Sequence, residues 1–599
     1  MRTGARRPSA RLVEAAVVAA VLVAFVLVVV PSLGQPLLER HGFRQTQTAY
    51  TARIYHEQGI DLIHPKLPVL GEPFEAPFEF PLFQAAASVV MDTGIRDDVA
   101  MRTTGLLCFL LTALLLYGLV RRVDGHVSAA AALVAFVATP FALLWGRTSM
   151  IEHLATAGAV GFAWATVAWR EERRPAVGGL ALAAGLVGML VKPTTAVFWI
   201  LPALAYQPKG GRQGDRRREV MWLAALVLVP LGAAVLWTHH ADAIKAASPT
   251  TAWLTSDALR EWTFGTLGQR FASDTWEVIL DRLRGLIVGY AGIPLLVVAA
   301  VALARSPQRR FWLGIVLAAV LPPLVFTNLY YQHDYYLAAV SPAIAALIGL
   351  GVGFAWRLLP TRPLVRGVAI VTGVLLASST LVLGRDYVRL IYVDEPDSQT
   401  LALAHEAAAQ TRADDRIGVL GLDWSPAVLY YANRWGLMVV ERNADVSYRL
   451  LREDDYRYLL IAEPNDGDIS PLARWRWLAA LDTHIYGIAD SAPELPESPF
   501  IATDDASEMP TGAVLRRGLR IACGQPARIP GGERGTLIVV RDPSPSTRVS
   551  VSDELAPLPA RRAIHVAYEL TNAGALTIRC SGQESLTLDV RDAPSPFGL

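Results

Sequence analysis

Charge is scarce in this chain. Only 18% of its 599 residues are charged and 53% are hydrophobic, with a mean hydropathy of +0.34; a soluble protein of this size carries nearer a quarter charged residues. That deficit excludes a single large soluble enzyme. Cysteine is scarcer still, with three in all, and neither a close cysteine pair nor an H-E-x-x-H run offers metal-ligand spacing. No Walker A motif appears, and no convincing G-x-G-x-x-G follows a strand, so the soluble machinery for nucleotides and nucleotide sugars is missing. There is no internal repeat and no long low-complexity tract. Lysine is rare beside arginine and alanine, a bias typical of a GC-rich bacterial genome. The net charge of +1 gives no footing for a nucleic-acid partner, because the arginines follow a different logic.

What the chain does have is a series of long apolar runs, at about 12–33, 99–120, 127–145, 149–169, 176–191, 193–207, 220–238, 283–304, 311–329, 336–357 and 366–384. Basic clusters separate them: Arg2, Arg6, Arg7 and Arg11; Arg121 and Arg122; Arg170, Arg173 and Arg174; Lys209, Arg212, Arg216, Arg217 and Arg218; Arg305, Arg309 and Arg310; Arg357, Arg362 and Arg366. Short basic loops stay in the cytoplasm, so an even number of crossings must separate neighbouring clusters. Residues 176–207 are flanked by such clusters at both ends and therefore read as two short spans meeting at Lys192-Pro193 on the far side. The sum is about eleven transmembrane helices, with the N-terminus inside and the C-terminus outside. The first run follows a basic head, is long enough to span a bilayer and lacks an Ala-x-Ala site, so it reads as a retained helix rather than a cleaved signal.

This topology places two long loops outside, 34–98 and about 239–282. The polar tail divides into an α/β region over 385–510 and a β-sandwich-like region over 511–599. RIGVLGLDWSPAVLYYANRWGLMVV reads as strand, helix, strand, and GTLIVVRD, HVAYELT, ALTIRC and SLTLDVRD alternate as half-buried strands do. Cys523 and Cys580 lie in this tail. They form a disulfide if it faces an oxidising compartment and are otherwise two free thiols; Cys108 sits in an apolar run.

With the topology set, ionisable groups from four distant segments reach one membrane face. His41, Arg44, Gln45, Gln47, Glu75 and Glu79 come from the first loop, and Arg147 and Glu152 from GRTSMIEH. Lys192 caps the short hairpin, and His333, Asp334, Tyr335 and Tyr336 open the tenth helix. Taken singly, each has a plain alternative. Arg147 and Lys192 could snorkel to headgroups, Glu79 could be an ordinary loop carboxylate, Glu152 could offset a helix dipole, His333 could be an interfacial packing residue, and the tyrosines fit an aromatic belt. Together they are harder to dismiss, because ionisable groups at a membrane cluster at water-filled cavities. Carboxylates beside cations suit transfer from a lipid-linked phosphate donor: a carboxylate takes the acceptor proton, and Arg or Lys neutralises the leaving phosphate.

The segments FRQTQTAYTARIYHEQG, FEFPLFQ, GRTSMIEH, VKPTTAVFWILP and YYQHDYYLAAVSP, in that order, resemble the bacterial GT-C membrane glycosyltransferases. The nearest group is the RgtA/B/C/D-like and family 39 enzymes, relatives of protein O-mannosyltransferases and aminoarabinose transferases. The resemblance covers residues 12–384, and DWSPAVLYYANRWG is similar to the extracytoplasmic domain of some members. It implies a GT-C domain over 1–384 in the cytoplasmic membrane and an inverting transfer at its outer face. The donor would be a polyprenyl-phosphate sugar and the acceptor a glycan, lipid or protein, with membrane lipid as a further partner; from the motifs no cofactor is expected, and the missing ligand spacing disfavours a divalent metal without excluding one. It also implies a first-loop acid as base. Many relatives carry Asp early in that loop, where this chain reads RQTQT with Gln47 near the expected position. Glu79 is therefore expected as base, with Glu75 second and Glu152 in support. Arg44, Gln47, Arg147, Lys192 and His333 are expected around the donor phosphate, with Tyr335 and Tyr336 near the sugar or lipid. The competing readings are a transporter or flippase of a lipid-linked molecule, which would place its charges near the bilayer midplane, and a catalytically inactive lipid-binding scaffold.

Overall fold

Every one of the eleven apolar runs carries helix in the computed structural model, which describes residues 10–208, 216–390, 399–420, 422–440 and, beyond them, the helical turns and strands within 446–592. Four helices among the described residues are long and apolar enough to cross a bilayer: Arg11–Ser32, Asp97–Asp124, Arg216–Ala247 and Ser341–Leu358. Ser273–Val288 and Ala291–Arg305 form a fifth such span if taken as one, bent by 91°. Three of the remaining runs hold shorter apolar helices, His126–Val137, Pro175–Val191 and Pro193–Ala205, and the others hold Glu152–Glu172, Arg309–Val325 and Pro363–Leu383. The run at 127–145 is broken where Thr139 precedes Pro140: the threonine hydroxyl caps the second helix by accepting from the Ala142 amide, and proline at the first helical position needs no amide partner. The chain is a membrane protein with several apolar helices.

Two groups of ion pairs lie at opposite expected ends of these helices. One group joins the ends expected inside: Arg121 with Glu14, Arg122 with Glu171 and Glu172 at 2.8 Å each, Arg173 with Glu219 at 2.7 Å, and Arg357 with Asp124 at 3.1 Å. The other joins Glu39, Arg40, Arg44, Glu79, Arg102, Arg147, Glu152, Lys192 and Asp334, from the ends expected outside. The sequence placed Arg2, Arg6, Arg7, Lys209 and Arg212 in the inner group, and these lie outside the described residues.

Close approach between helices is bought by glycine. A Cβ on Gly158 would meet the Gly188 amide at 2.5 Å, so the antiparallel helices Glu152–Glu172 and Pro175–Val191 cross in near contact, which aligns Lys192 with Glu152. A Cβ on Gly105 would lie 2.0 Å from the Thr148 carbonyl, which seats the Gly146–Ser149 turn on the Asp97–Asp124 helix.

The second compact unit contains residues 67–75, 248–250 and 394–599. Its first sheet has five strands. Arg416–Leu420 lies parallel to both Gly436–Met438 and Tyr456–Ile461, and Thr483–Ile488 and Trp475–Ala480 add antiparallel edges. With helices Gln399–Gln410 and Ala427–Ala432 this is an α/β layer. Residues 67–75 of the first loop join it: the Gly436 and Met438 amides donate to Pro68 and Val69 carbonyls. Two antiparallel sheets of four and five strands follow. Phe500–Thr503 pairs with His565–Leu570, so the five-stranded sheet takes in residues before the boundary expected at 511. Cys523, just after Val514–Ala522, and Cys580, in Leu576–Ser581, are joined by a disulfide that ties the two sheets together; Cys108 is a free thiol.

Maleimide labelling of the unfolded protein should therefore find one reactive thiol per chain without reductant and three after reduction. Equal labelling in both conditions would contradict the bridge.

Candidate active site

The site grows from the polar segment that follows the first apolar helix. Gly42–Gln58 forms a helix whose Gln45, Thr46, Gln47, Thr48 and Thr51 are buried. Buried amides and hydroxyls must find partners. The Thr46 and Thr48 hydroxyls donate to carbonyls one turn back, while Gln45 accepts from the Ser149 amide at 3.3 Å and from its hydroxyl through the Gln45 carbonyl at 3.1 Å. The helix begins at His41, which adopts the left-handed conformation at φ 57°, an arrangement that costs a non-glycine residue roughly 1–2 kcal/mol. What His41 reaches offsets that cost. Its Nε2 lies 3.1 Å from the buried Asp334 carboxylate, which also accepts from Arg40 Nε at 2.6 Å and the Tyr387 hydroxyl at 2.7 Å. Burial alone would raise the Asp334 carboxyl; the His41 bond, the Arg40 charge and the Tyr387 bond outweigh it and hold it at about 2.

One turn into the same helix, Arg44 meets Glu79. Arg44 Nη2 donates to both Glu79 oxygens, at 2.6 and 2.7 Å, and Nη1 donates to Gln47 Oε1 at 2.5 Å. The Gln47 amide is oriented by this contact, since its other rotamer would set an NH2 against the guanidinium. Glu79 is held by its neighbours in the chain: the Phe80 amide donates to the Leu190 carbonyl and Trp237 Nε1 to the Phe78 carbonyl. This anchoring sets Glu79 3.6 Å from Lys192 Nζ, which also donates to Glu152. Lys192 Nζ stands 4.5 Å over the Tyr336 ring and 5.6 Å over Tyr335. The result is an alternating chain, Arg44–Glu79–Lys192–Glu152. Burial would raise the Glu79 carboxyl, but Arg44 first and Lys192 next hold it at about 2. Of the two carboxylates Glu79 is the accessible one, with 23% of its side chain exposed against 2% for Glu152.

His333 completes the array. Its ring stacks on Tyr335 at 5.1 Å and Tyr336 at 6.2 Å and meets His41 edge-on at 4.9 Å. Burial, then the charges of His41 and Lys192, push its imidazole down to about 3. It is neutral at working pH and offers hydrogen bonds rather than charge.

Sequence reasoning named Arg44, Gln47, Glu79, Glu152, Lys192, His333, Tyr335 and Tyr336, and the structure brings these into one connected network. Two others stand elsewhere. Arg147 is fully buried against Glu39 at 3.3 Å, and Glu39 also takes the Arg102 guanidinium in a two-pronged pair; all three side chains are 0% exposed. Glu75 ends the 67–75 segment that belongs to the second unit, and it makes no ion pair with the described residues. Sequence reasoning gave no role to Glu39, Arg40, Arg102 or Tyr387. The signal for Glu39 and Arg40 was their charge just after an apolar run, and for Arg102 its charge inside one; nothing in local sequence links Tyr387 to Asp334. Among the described residues no group of three or more His, Cys, Asp or Glu could hold a metal ion.

The fold is similar to that of solved GT-C membrane glycosyltransferases. A family model described as dolichyl-phosphate-mannose-protein mannosyltransferase matches residues 76–237, which includes Glu79, Arg147, Glu152 and Lys192. The structure is similar to that of ArnT from Cupriavidus metallidurans bound to undecaprenyl phosphate, with TM-score 0.52 and 16% identity over 81% of this chain and 100% of that one. It is also similar to the archaeal oligosaccharyltransferase AglB from Archaeoglobus fulgidus in complex with an inhibitory peptide and a dolichol-phosphate, with TM-score 0.53 and 10% identity over 96% of this chain and 94% of that one. At such identities the likeness is one of fold. No curated protein matches the sequence.

Two outcomes follow. Glu39→Gln leaves Arg102 and Arg147 without their shared anion, and breaking a buried pair in this way costs about 3–5 kcal/mol, which thermal unfolding in detergent should register as a clear loss. Glu79 and Asp334, both held at about 2, lie below the ordinary carboxylate range near 4. Their contribution to stability is thus full above about pH 4 and lost as pH falls towards 2. The unfolding temperature should drop across that window, and less steeply in Glu79→Gln.

Proposed function

We propose that this protein transfers a sugar from a polyprenyl-phosphate donor to a cell-envelope acceptor, with inversion, at the outer face of the cytoplasmic membrane. In this reading the N-terminus is cytoplasmic and the tail, with its disulfide, is extracytoplasmic. The acceptor is a glycan, a lipid or a protein, and the sugar a hexose or a pentose. The observation that carries the reading is the Glu79 carboxylate held between Arg44 and Lys192.

At rest that carboxylate is a weak base, because two cations hold it ionised. A donor phosphate arriving beside Arg44 and Lys192 competes for both. As they turn to its oxygens, Glu79 loses counter-charge and its affinity for a proton rises. The acceptor hydroxyl then attacks the anomeric carbon on the face opposite the phosphate. The carbon–oxygen bond to phosphate breaks with its electron pair passing to the phosphate oxygen. The hydroxyl proton passes to Glu79, and Arg44 and Lys192 neutralise the extra charge on the departing polyprenyl phosphate. Glu152 keeps Lys192 charged and in place. Arg147, committed to Glu39, acts as a positioning residue: it fixes the turn whose Ser149 holds Gln45 in the first-loop helix. Gln47 holds Arg44 by its carbonyl oxygen, which makes it a brace rather than a base. Two side-chain cations do the work often given to a divalent metal, so the reaction is proposed to need none.

With radiolabelled polyprenyl-phospho-sugar and purified protein, Glu79→Gln should lower turnover by roughly 10²–10⁴, the range for loss of a general base, while donor binding persists; full activity in that variant would remove Glu79 from the mechanism. Transfer should survive EDTA, and a loss restored by added divalent ion would overturn the metal-free reading.

A further inference from the structure

Three buried polar atoms in this network make no hydrogen bond to any described residue: Gln47 Nε2, Glu152 Oε2 and His333 Nδ1. Gln47 and Glu152 are 4% and 1% exposed, so their cost is real unless something pairs with them. Their chemistry is mixed. Gln47 Nε2 can only donate, Glu152 Oε2 can only accept, and a neutral imidazole nitrogen does either according to its tautomer. Phosphate oxygens without protons only accept, so they leave Glu152 unanswered and would repel it. Hydroxyl groups both donate and accept, and can satisfy all three.

The surroundings match. His333, Tyr335 and Tyr336 stack into an apolar wall of the kind that suits the C–H face of a sugar ring while its hydroxyls reach polar tips. Each carboxylate is already matched to a cation, Glu79 to Arg44 and Glu152 to Lys192. A sugar ammonium brought to Glu152 Oε2 would sit beside Lys192 and be repelled.

We infer that Gln47, Glu152 and His333 form a hydroxyl-reading subsite for the donor sugar, distinct from the Arg44 and Lys192 phosphate grip, and that the sugar is uncharged rather than an amino sugar. This rests on the glycosyl-transfer reading above and narrows it. His333 is here a specificity residue, not a phosphate ligand.

The test uses full-length protein in lipid nanodiscs. The probes are undecaprenyl phosphate alone and undecaprenyl phosphate carrying glucose, mannose, arabinofuranose or 4-amino-4-deoxyarabinose. Wild type should bind at least one uncharged-sugar lipid more tightly than the amino-sugar lipid. His333→Phe keeps a ring in the stack and removes both nitrogens. It should weaken the preferred sugar-loaded lipid by about tenfold, the size of one hydrogen bond, and leave undecaprenyl phosphate within about twofold. His333→Asn, whose amide can take the place of Nδ1, should recover most of that loss. Equal weakening of loaded and bare lipid, or no weakening of either, would overturn the subsite and leave the transfer reading standing. Preference for the amino-sugar lipid would overturn the uncharged assignment. If wild type binds none of the five lipids, the transfer reading falls and the subsite with it.

Discussion

A charge can stay buried beside a membrane only if an opposite charge is buried with it. That constraint organises the end of the helical unit that carries the candidate site. Arg44, Glu79, Lys192 and Glu152 alternate in sign along one connected chain, and each residue comes from a different place: the first-loop helix, the irregular segment before the Leu82–Met91 helix, the break between two short helices and the start of a long one. Removing one member strands its neighbours. The elements are thereby fixed to one another by charge matching as well as by apolar packing.

The same pairing gives the site its chemical character. Glu79 is the more accessible carboxylate and is muted by its cations, whereas Glu152 is almost fully buried against Lys192. A ligand that brings its own negative charge competes for both cations of the first, and reaches the second only through the shared Lys192. In the proposed mechanism the site responds to an anion before it takes a proton, which would limit idle chemistry towards water. Asp334 works differently. Held by Arg40, His41 and Tyr387, it fixes the strained start of the first-loop helix, and through Tyr387 it reaches the segment that follows the last apolar helix.

Packing at the level of single atoms makes this possible. Glycine at 158 lets two helices meet backbone to backbone, and the meeting point sets Lys192 on Glu152. Glycine at 105 does the same for the turn that carries Arg147. Two cations share Glu39 at that turn in a fully buried group, which braces the base of the site without touching the alternating chain.

Hydropathy and charge order are local properties, and the sequence by itself determined what depends on them: where the helices lie, which polar residues share a face, and that a GT-C resemblance runs through Glu79, Glu152, Lys192 and His333. The extended tail strands were legible too, since alternation of side chains is a two-residue signal. Only the tertiary structure decided who pairs with whom. Arg147 and Lys192 look alike in sequence, yet one is spent on Glu39 and the other stands between two carboxylates. Glu75 and Glu79 lie four residues apart in one loop, but the chain between them passes from one compact unit to the other. Partner choice depends on contacts tens to hundreds of residues apart, as between Arg40 and Asp334, and no local pattern encodes those.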